Sequence, residues 1–113
     1  MQTIFAALAE PQRLRIVDLL RRGPRAVGEI QGALRLRQPQ VSKHLKVLQG
    51  AGMVAVRRDA QRRIYALRPQ PLAVLDEWLE PYRRYWNTRL DALEAHLDTT
   101  ADQPRTRRST KRA

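Results

Sequence analysis

Apolar side chains near the start of the chain recur every three or four residues, which is the period of an α-helix. A short first helix is predicted around Ile4, Phe5 and Leu8. A second helix is predicted to begin at Pro11, because proline suits the first helical turn, and to end before the Gly-Pro pair at residues 23–24. The apolar stripe predicted for this second helix is Leu14, Val17 and Leu20, widened by Ile16 and Leu19.

Two further short helices are predicted in quick succession. The third covers residues 26–34. The fourth opens at Pro39 and ends in the Gly-Ala-Gly run at residues 50–52, with a turn at residues 35–37 between the two helices. The predicted buried stripes are Val27, Ile30 and Leu34 in the third helix, and Val41, Leu45 and Leu48 in the fourth. Matched stripes joined by a tight connection predict a helix-turn-helix.

A β-hairpin is predicted next, because residues 53–58 and 62–67 alternate side chains with the period of two that is typical of strands. The segment Asp59-Ala60-Gln61 joins them. The helical period then returns at Pro71. Its apolar positions are Leu72, Leu75, Leu79, Tyr82, Trp86, Leu90, Leu93 and Leu97. Pro81 lies inside this run, and an interior proline costs about 3 kcal/mol, so we expect a kink or two helices divided near Glu80.

These elements predict the fold class. It is mainly α with a small β-hairpin (α+β), a winged helix-turn-helix of order ααααββα(α) with long C-terminal helices. The folded region is predicted to be residues 1–98. Residues 99–113 contain no aliphatic side chain larger than alanine and are predicted to form a disordered basic tail.

The distribution of charge adds a functional expectation. The formal net charge is +11, and residues 1–70 hold 14 Lys/Arg against four acidic residues, whereas residues 71–98 hold three Arg against six acidic residues. A basic front and a mildly acidic rear favour nucleic acid as the partner of the front. The alternative is a chain whose arginines reflect only the codon usage of its genome.

Composition also excludes several classes of protein. The chain has no cysteine, so disulfides, thiolate chemistry and cysteine metal sites are excluded. No window approaches the about 18 apolar residues of a membrane span, and the N-terminus lacks the basic stretch and cleavage site of a signal peptide, so we expect no membrane partner and a cytoplasmic location. There is no paired histidine with an acid and no GxxxxGK[ST] loop, so an enzyme is not expected.

The fourth helix, residues 38–49, is interpreted as the helix that reads DNA. One face packs on the domain, and the other presents amides and amines that suit base edges and phosphates. The predicted base-reading residues are Gln38, Gln40 and Lys43, and the predicted phosphate contacts are Ser42 and Lys46. In the hairpin, the residues predicted to follow the backbone or enter the minor groove are Arg57, Arg58, Arg62 and Arg63. The alternatives are a solvated amphipathic helix and a hairpin kept soluble by its charge.

Three segments resemble the ArsR/SmtB family of bacterial winged-helix regulators. They are FAALAEPQRLRI at residues 5–16, QPQVSKHLKVL at residues 38–48 and GMV at residues 52–54, within a similarity that covers about residues 4–97. The Ser-x-His-Leu-x-x-Leu core of the second segment is the most specific part. The resemblance implies a homodimer that binds a palindromic operator in double-stranded DNA, usually as a repressor released by a signal.

The resemblance further implies dimerisation through the first and last helices. The residues that this assigns to the dimer interface are Ile4, Phe5, Leu8, Leu79, Tyr82, Trp86, Leu90, Leu93 and Leu97. The chain departs from metal-sensing members, because Val27-Gly28-Glu29 replaces their Cys-Val-Cys motif and the last helix lacks a paired-histidine ligand set. No metal and no cofactor are therefore expected. Arg35 and Ala60 stand where many members have glycine, so differently shaped turns are expected there.

Several assignments stay open. His44 is assigned either to a DNA phosphate or to packing against the second helix, and His96 to a structural role. The aromatic cluster of the last helices either packs in the interface or lines a pocket for an unknown small-molecule effector. Its members are Trp78, Tyr82, Tyr85 and Trp86. For the whole chain, the alternatives to a regulator are a sequence-tolerant DNA-coating protein, supported by the basic tail, and a protein-interaction module that has lost DNA binding.

Overall fold

The computed structural model describes residues 1–100. The elements in chain order are α1 (Gln2–Leu8), α2 (Pro11–Leu20), β1 (Arg25–Ala26), α3 (Val27–Leu34), α4 (Gln38–Gly50), β2 (Val54–Asp59), β3 (Arg62–Leu67) and α5 (Pro69–Thr100). The predicted mainly α fold with one hairpin is confirmed. The predicted basic tail lies, apart from its first two residues, outside the described residues. Those two residues, 99 and 100, are the end of α5.

The junction between α1 and α2 is fixed by two side chains. Glu10 is the N-cap of α2, and its Oε1 accepts from the backbone N–H groups of Gln12 at 2.7 Å and Arg13 at 3.0 Å. The Nε of Arg13 donates to the Ala7 carbonyl at 2.7 Å, which satisfies the end of α1. Because free N–H and C=O groups at helix ends need partners, these bonds hold the two helices end to end.

The hydrophobic core is shared by the four short helices and the sheet. Its largest fully buried side chains are Ile16, Ile30, Val41, Leu45, Leu48, Met53 and Val54. The stripe predicted for α2 was partly wrong, because Leu14 is 45% exposed whereas Ile16 is fully buried. Both residues fit a helical period in the sequence, and only packing against α3 and α4 decides which of them turns inward.

The sheet has three antiparallel strands in the order β1-β3-β2. Strands β2 and β3 pair from Val54 opposite Leu67 to Asp59 opposite Arg62, as the hairpin prediction requires. The two-residue strand β1 was not predicted. It pairs Arg25 with Tyr65 and therefore delays the start of α3 from residue 26 to Val27.

Two turns contain non-glycine residues in the left-handed region. Arg35, which follows α3, has φ 56°, and Ala60, at the hairpin tip, has φ 59°. These are positions for which the sequence predicted differently shaped turns. Instead, both keep the backbone conformation that glycine favours. Because each of these residues has a Cβ atom, its left-handed backbone conformation costs about 1–2 kcal/mol of stability.

Helix α5 continues through Pro81, so a division into two helices near Glu80 is wrong. Proline removes one backbone hydrogen bond from the helix. The free-energy cost of that loss can be outweighed by the hydrogen bonds and packing of the surrounding turns. The chain forms two compact units, Met1–Glu77 and a second unit that begins at Trp78. Within the described residues, no helix is both long enough and apolar enough to span a membrane.

Candidate DNA-binding surface

Helix α4 has one fully buried edge and one open polar arc. Val41, Leu45 and Leu48 have no exposed surface, which fixes how the helix is rotated on the domain. Four of the predicted DNA contacts on this helix are exposed, and Ser42 is half-buried. The exposed four are Gln38, Gln40, Lys43 and Lys46. The rotation predicted from the apolar stripe therefore agrees with the structure.

The first turn of α4 uses part of its own polar surface. Gln40 Oε1 accepts a hydrogen bond from the backbone N–H of Arg37 at 3.0 Å, and Gln38 Nε2 donates to Ser42 Oγ at 3.0 Å. The first bond caps the helix in the manner of a capping box. Both glutamines thus have a structural contact that the sequence analysis did not assign, and each retains its other amide atom for a partner.

A groove of about 820 Å³ runs between α4, the start of α3 and the hairpin. Its α4 wall consists of Gln38, Ser42, Lys46 and Gln49, which recur every three or four residues and so share one face. The hairpin wall contributes Arg62 and Arg63. Gln49 was not among the predicted contacts, although its spacing from Ser42 and Lys46 would have revealed it.

The hairpin presents its arginines on two faces rather than one. Arg58 lies directly opposite Arg63, and Arg57 and Arg62 point to the other side, because neighbouring residues of a strand alternate. Like charges opposite each other in a sheet are destabilising. A polyanion beside the Arg58–Arg63 pair would relieve that repulsion.

His44 lies on the side of α4 that faces the start of α2. Its side chain is 15% exposed, and its Nδ1 is buried at 3.9 Å from Glu10 Oε1, too long for a hydrogen bond. The hydrogen bond from Arg13 N–H, together with the one from Gln12 N–H and the nearby charges of His44 and Arg13, lowers the pKa of Glu10 from its ordinary 4.5. Of the two roles open for His44, this position favours packing against α2 rather than a phosphate contact.

The chain segment that contains α4 carries only positive charge. Residues 30–58 contain no Asp or Glu and six Lys/Arg. The nearest preceding acid, Glu29, accepts a hydrogen bond from the Ala26 N–H at 2.7 Å and so caps α3. Glu29 also lines the groove beside α4, and Glu10 lies near His44, so two carboxylates partly offset a region in which positive charge predominates and attracts anions.

The residues predicted to form a dimer interface separate into buried and exposed sets. Ile4 is only 8% exposed and belongs to the chain's own core, against which the half-buried Leu8 also packs. Leu79 and Trp86 are half-buried. The remaining members are exposed: Phe5, Tyr82, Leu90, Leu93 and Leu97.

The aromatic residues of α5 contact each other and one arginine. The rings of Trp78 and Tyr82 lie 4.8 Å apart, and the guanidinium of Arg89 sits 4.8 Å from the centre of the Tyr85 ring. Pro81, Tyr82 and Tyr85 border a hollow of about 360 Å³. Within residues 1–100, no three His, Asp or Glu side chains come together in a way that could hold a metal ion.

The helix pair α3–α4, its exposed polar arc and the adjoining arginine hairpin define a winged helix-turn-helix, a fold that binds DNA. Comparison with known proteins identifies the family. A family model described as "Bacterial regulatory protein, arsR family" matches residues 10–56. Over 98 residues the chain is 41% identical to the HTH-type transcriptional regulator Rv2034 of Mycobacterium tuberculosis, covering 87% of this chain and 89% of that protein.

Two more comparisons agree. Over 75 residues the chain is 44% identical to the HTH-type transcriptional repressor SmtB of M. tuberculosis, covering 65% of this chain and 56% of that protein. The crystal structure of an ArsR family transcriptional regulator, RHA00566, matches with a TM-score of 0.68 and 28% identity over 76% of this chain and 94% of that chain. The chain belongs to the ArsR family and is a transcriptional regulator, which confirms the resemblance seen in the sequence.

Proposed function

We propose that this regulator binds a specific palindromic operator in double-stranded DNA as a homodimer and acts as a repressor. The observation that carries the proposal is the groove between α4 and the hairpin. It joins amide and hydroxyl groups to Lys46, Arg62 and Arg63 along one continuous surface.

The two walls of the groove suit different parts of a duplex. Amides on α4 can hydrogen-bond a base edge, whereas arginines on the hairpin attract phosphates whatever the sequence. We assign base selection to Gln38, which lines the groove, and to Gln40 and Lys43, which are exposed on the same helix outside it. Binding strength that is independent of sequence is assigned to the hairpin arginines.

The exposed apolar side chains support the homodimer. Leu93 is 52% exposed and Tyr82 is 47% exposed, and both recur on one stripe of α5 with Leu90 and Leu97. Leaving such a stripe in water is unfavourable, and a second copy of the same helix would cover it. We assign the aromatic cluster of α5 to this contact. Two reading helices related by twofold symmetry would then reach half-sites roughly 34 Å apart.

Selection of bound duplexes from a random library, followed by genomic footprinting, tests the proposal. We expect an enriched palindrome, a few discrete footprints, and an affinity that falls steeply with salt because bound phosphates release counterions. Continuous coverage without an enriched sequence would instead indicate a DNA-coating protein. Absence of binding to any duplex at low salt would indicate a protein-interaction module. A monomer in sedimentation at micromolar concentration would contradict the homodimer.

A further inference from the structure

The turn between α3 and α4 holds an arginine where glycine would be the easier residue. Arg35 has φ 56° and ψ 47°, and the N–H of Leu36 donates to the Gln31 carbonyl at 3.2 Å across this turn. That bond is typical of a Schellman motif, whose left-handed residue is usually glycine. Arg35 therefore carries a conformational cost that glycine would avoid, as Ala60 does at the hairpin tip.

Among residues 1–100, the guanidinium of Arg35 makes no hydrogen bond or ion pair that would explain its presence. Arg35 and Arg37 are both exposed, and within residues 1–100 neither guanidinium has a hydrogen-bond or ion-pair partner. A third arginine reaches the same turn. Arg15 Nη2 donates to the Leu34 carbonyl at 3.2 Å, and its Nη1 donates to Gln12 Oε1 at 2.6 Å. We refer to Arg15, Arg35 and Arg37 as the turn patch.

The turn patch is placed at the N-terminal end of the reading helix. Arg37 is the N-cap of α4, where the helix dipole adds positive potential, and no acidic residue occurs between positions 30 and 58. The hairpin arginines Arg62 and Arg63 lie across a groove from one side of α4, which contributes Gln38, Ser42, Lys46 and Gln49. The domain thus has two cationic regions, one at the turn that precedes α4 and one along a side of α4.

We propose that the turn patch binds DNA phosphates and forms a second backbone contact, separate from that of the hairpin. This inference rests on the proposed function. A helix in the major groove, which is about 12 Å wide, has a phosphate backbone on each side. The hairpin would hold one backbone and the turn patch the other, so that the reading helix is fixed between them.

Substitution of Arg35 separates this role from folding. Arg35→Asn removes the charge, and asparagine tolerates the left-handed region, so the Tm is expected to stay equal or rise. Affinity for the selected operator and for a random duplex should fall together by about fivefold at low salt. The slope of log affinity against log salt should become shallower by about 0.9 for each phosphate contact that is lost, because each lost contact releases one counterion fewer. The substitution is present in both protomers of the dimer, and each of them contributes such a loss.

Two further variants serve as controls. Arg35→Lys keeps the charge and should retain the wild-type salt slope. Arg21→Gln removes an exposed arginine at the other end of α2, next to Leu67 and Leu72, and should leave both affinity and slope unchanged. If Arg35→Asn kept the wild-type affinity and salt slope, the phosphate contact proposed for the turn patch would be overturned. The proposed function would remain intact. Failure of the wild-type chain to bind any duplex would overturn both.

Discussion

Helices α4 and α5 are both amphipathic, yet they bury their apolar stripes to different extents. In α4 the stripe residues Val41, Leu45 and Leu48 have no exposed surface. In α5 the stripe residues Tyr82 and Leu93 keep about half of theirs. The packing partners of α4 are therefore supplied within the chain. The partner of the α5 stripe is, on our proposal, a second copy. On that proposal, the same sequence pattern serves folding in one helix and association in the other.

The largest expected effect comes from the buried stripe of α4. Leu45→Ala should lower the free energy of unfolding by about 3 kcal/mol, because it removes a fully buried side chain and leaves a cavity. Urea denaturation measures this change. Val47→Ala is the matched control, since Val47 lies on the same helix but is 41% exposed, and its effect should stay within about 0.5 kcal/mol. Equal losses in the two variants would contradict the assignment of faces.

The next effect concerns the exposed stripe of α5. Leu93→Glu should convert the homodimer into a monomer in sedimentation, because a carboxylate replaces an apolar contact repeated by symmetry. Affinity for a full palindrome should fall by more than about tenfold, while affinity for a single half-site stays the same, since only the linked second contact is lost. Thr88→Glu adds the same charge on the opposite side of α5 and should leave the dimer intact. If Leu93→Glu still sedimented as a dimer, the two protomers would associate through another surface.

A smaller effect is expected at the edge of the polar arc of α4. Gln40→Ala removes both the cap on the Arg37 N–H and the remaining amide donor, so it should cost about 1 kcal/mol of stability and also relax base preference. Gln40→Glu keeps a capping oxygen but has no amide donor. It should retain stability and still lose discrimination between specific and random duplexes. If Gln40→Glu still distinguished specific from random duplexes, the role of Gln40 would be restricted to capping α4.

The smallest effect concerns the N-terminal cap of α2. Because the pKa of Glu10 is lower in the folded chain than its ordinary 4.5, its contribution to stability is present above that pH and is lost as pH falls through the folded value. Glu10→Gln should therefore be less stable than wild type near neutral pH, and the difference should shrink in acid. Glu77→Gln, an exposed helical change in a side chain that caps no helix, is the matched control. If the difference in unfolding free energy between the Glu10→Gln variant and wild type did not change with pH, the carboxylate charge of Glu10 would not be the source of the stabilisation.

Sequence periodicity predicted most of the fold because each element has its own local signal. Glycine and proline mark the ends of α2 and α4, and alternation marks β2 and β3. Strand β1 was missed because two residues are too few to show a period, and it exists only by pairing with β3. For Pro81 the sequence left open a kink or a division of the helix, and the division does not occur, since this strong local helix breaker is tolerated inside α5.

The candidate site was predicted less completely. The residue types and the exposed arc of α4 followed from sequence, whereas the bonds from Gln40 to Arg37 and from Gln38 to Ser42 did not. The turn patch could not be predicted either. It depends on Arg15, distant in sequence, meeting the end of α3, and on the backbone conformation of Arg35.

The sequence by itself determined the order of helices and strands, the exposed polar face of α4 and the concentration of positive charge. These follow from periodicity and composition, which are properties of neighbouring residues. The tertiary structure alone decided that Ile16 rather than Leu14 is buried, that Ile4 belongs to the core, and that His44 faces Glu10. Those outcomes depend on which surfaces of separate helices and strands pack together and exclude water. The pattern of neighbouring residues in the sequence does not contain that information.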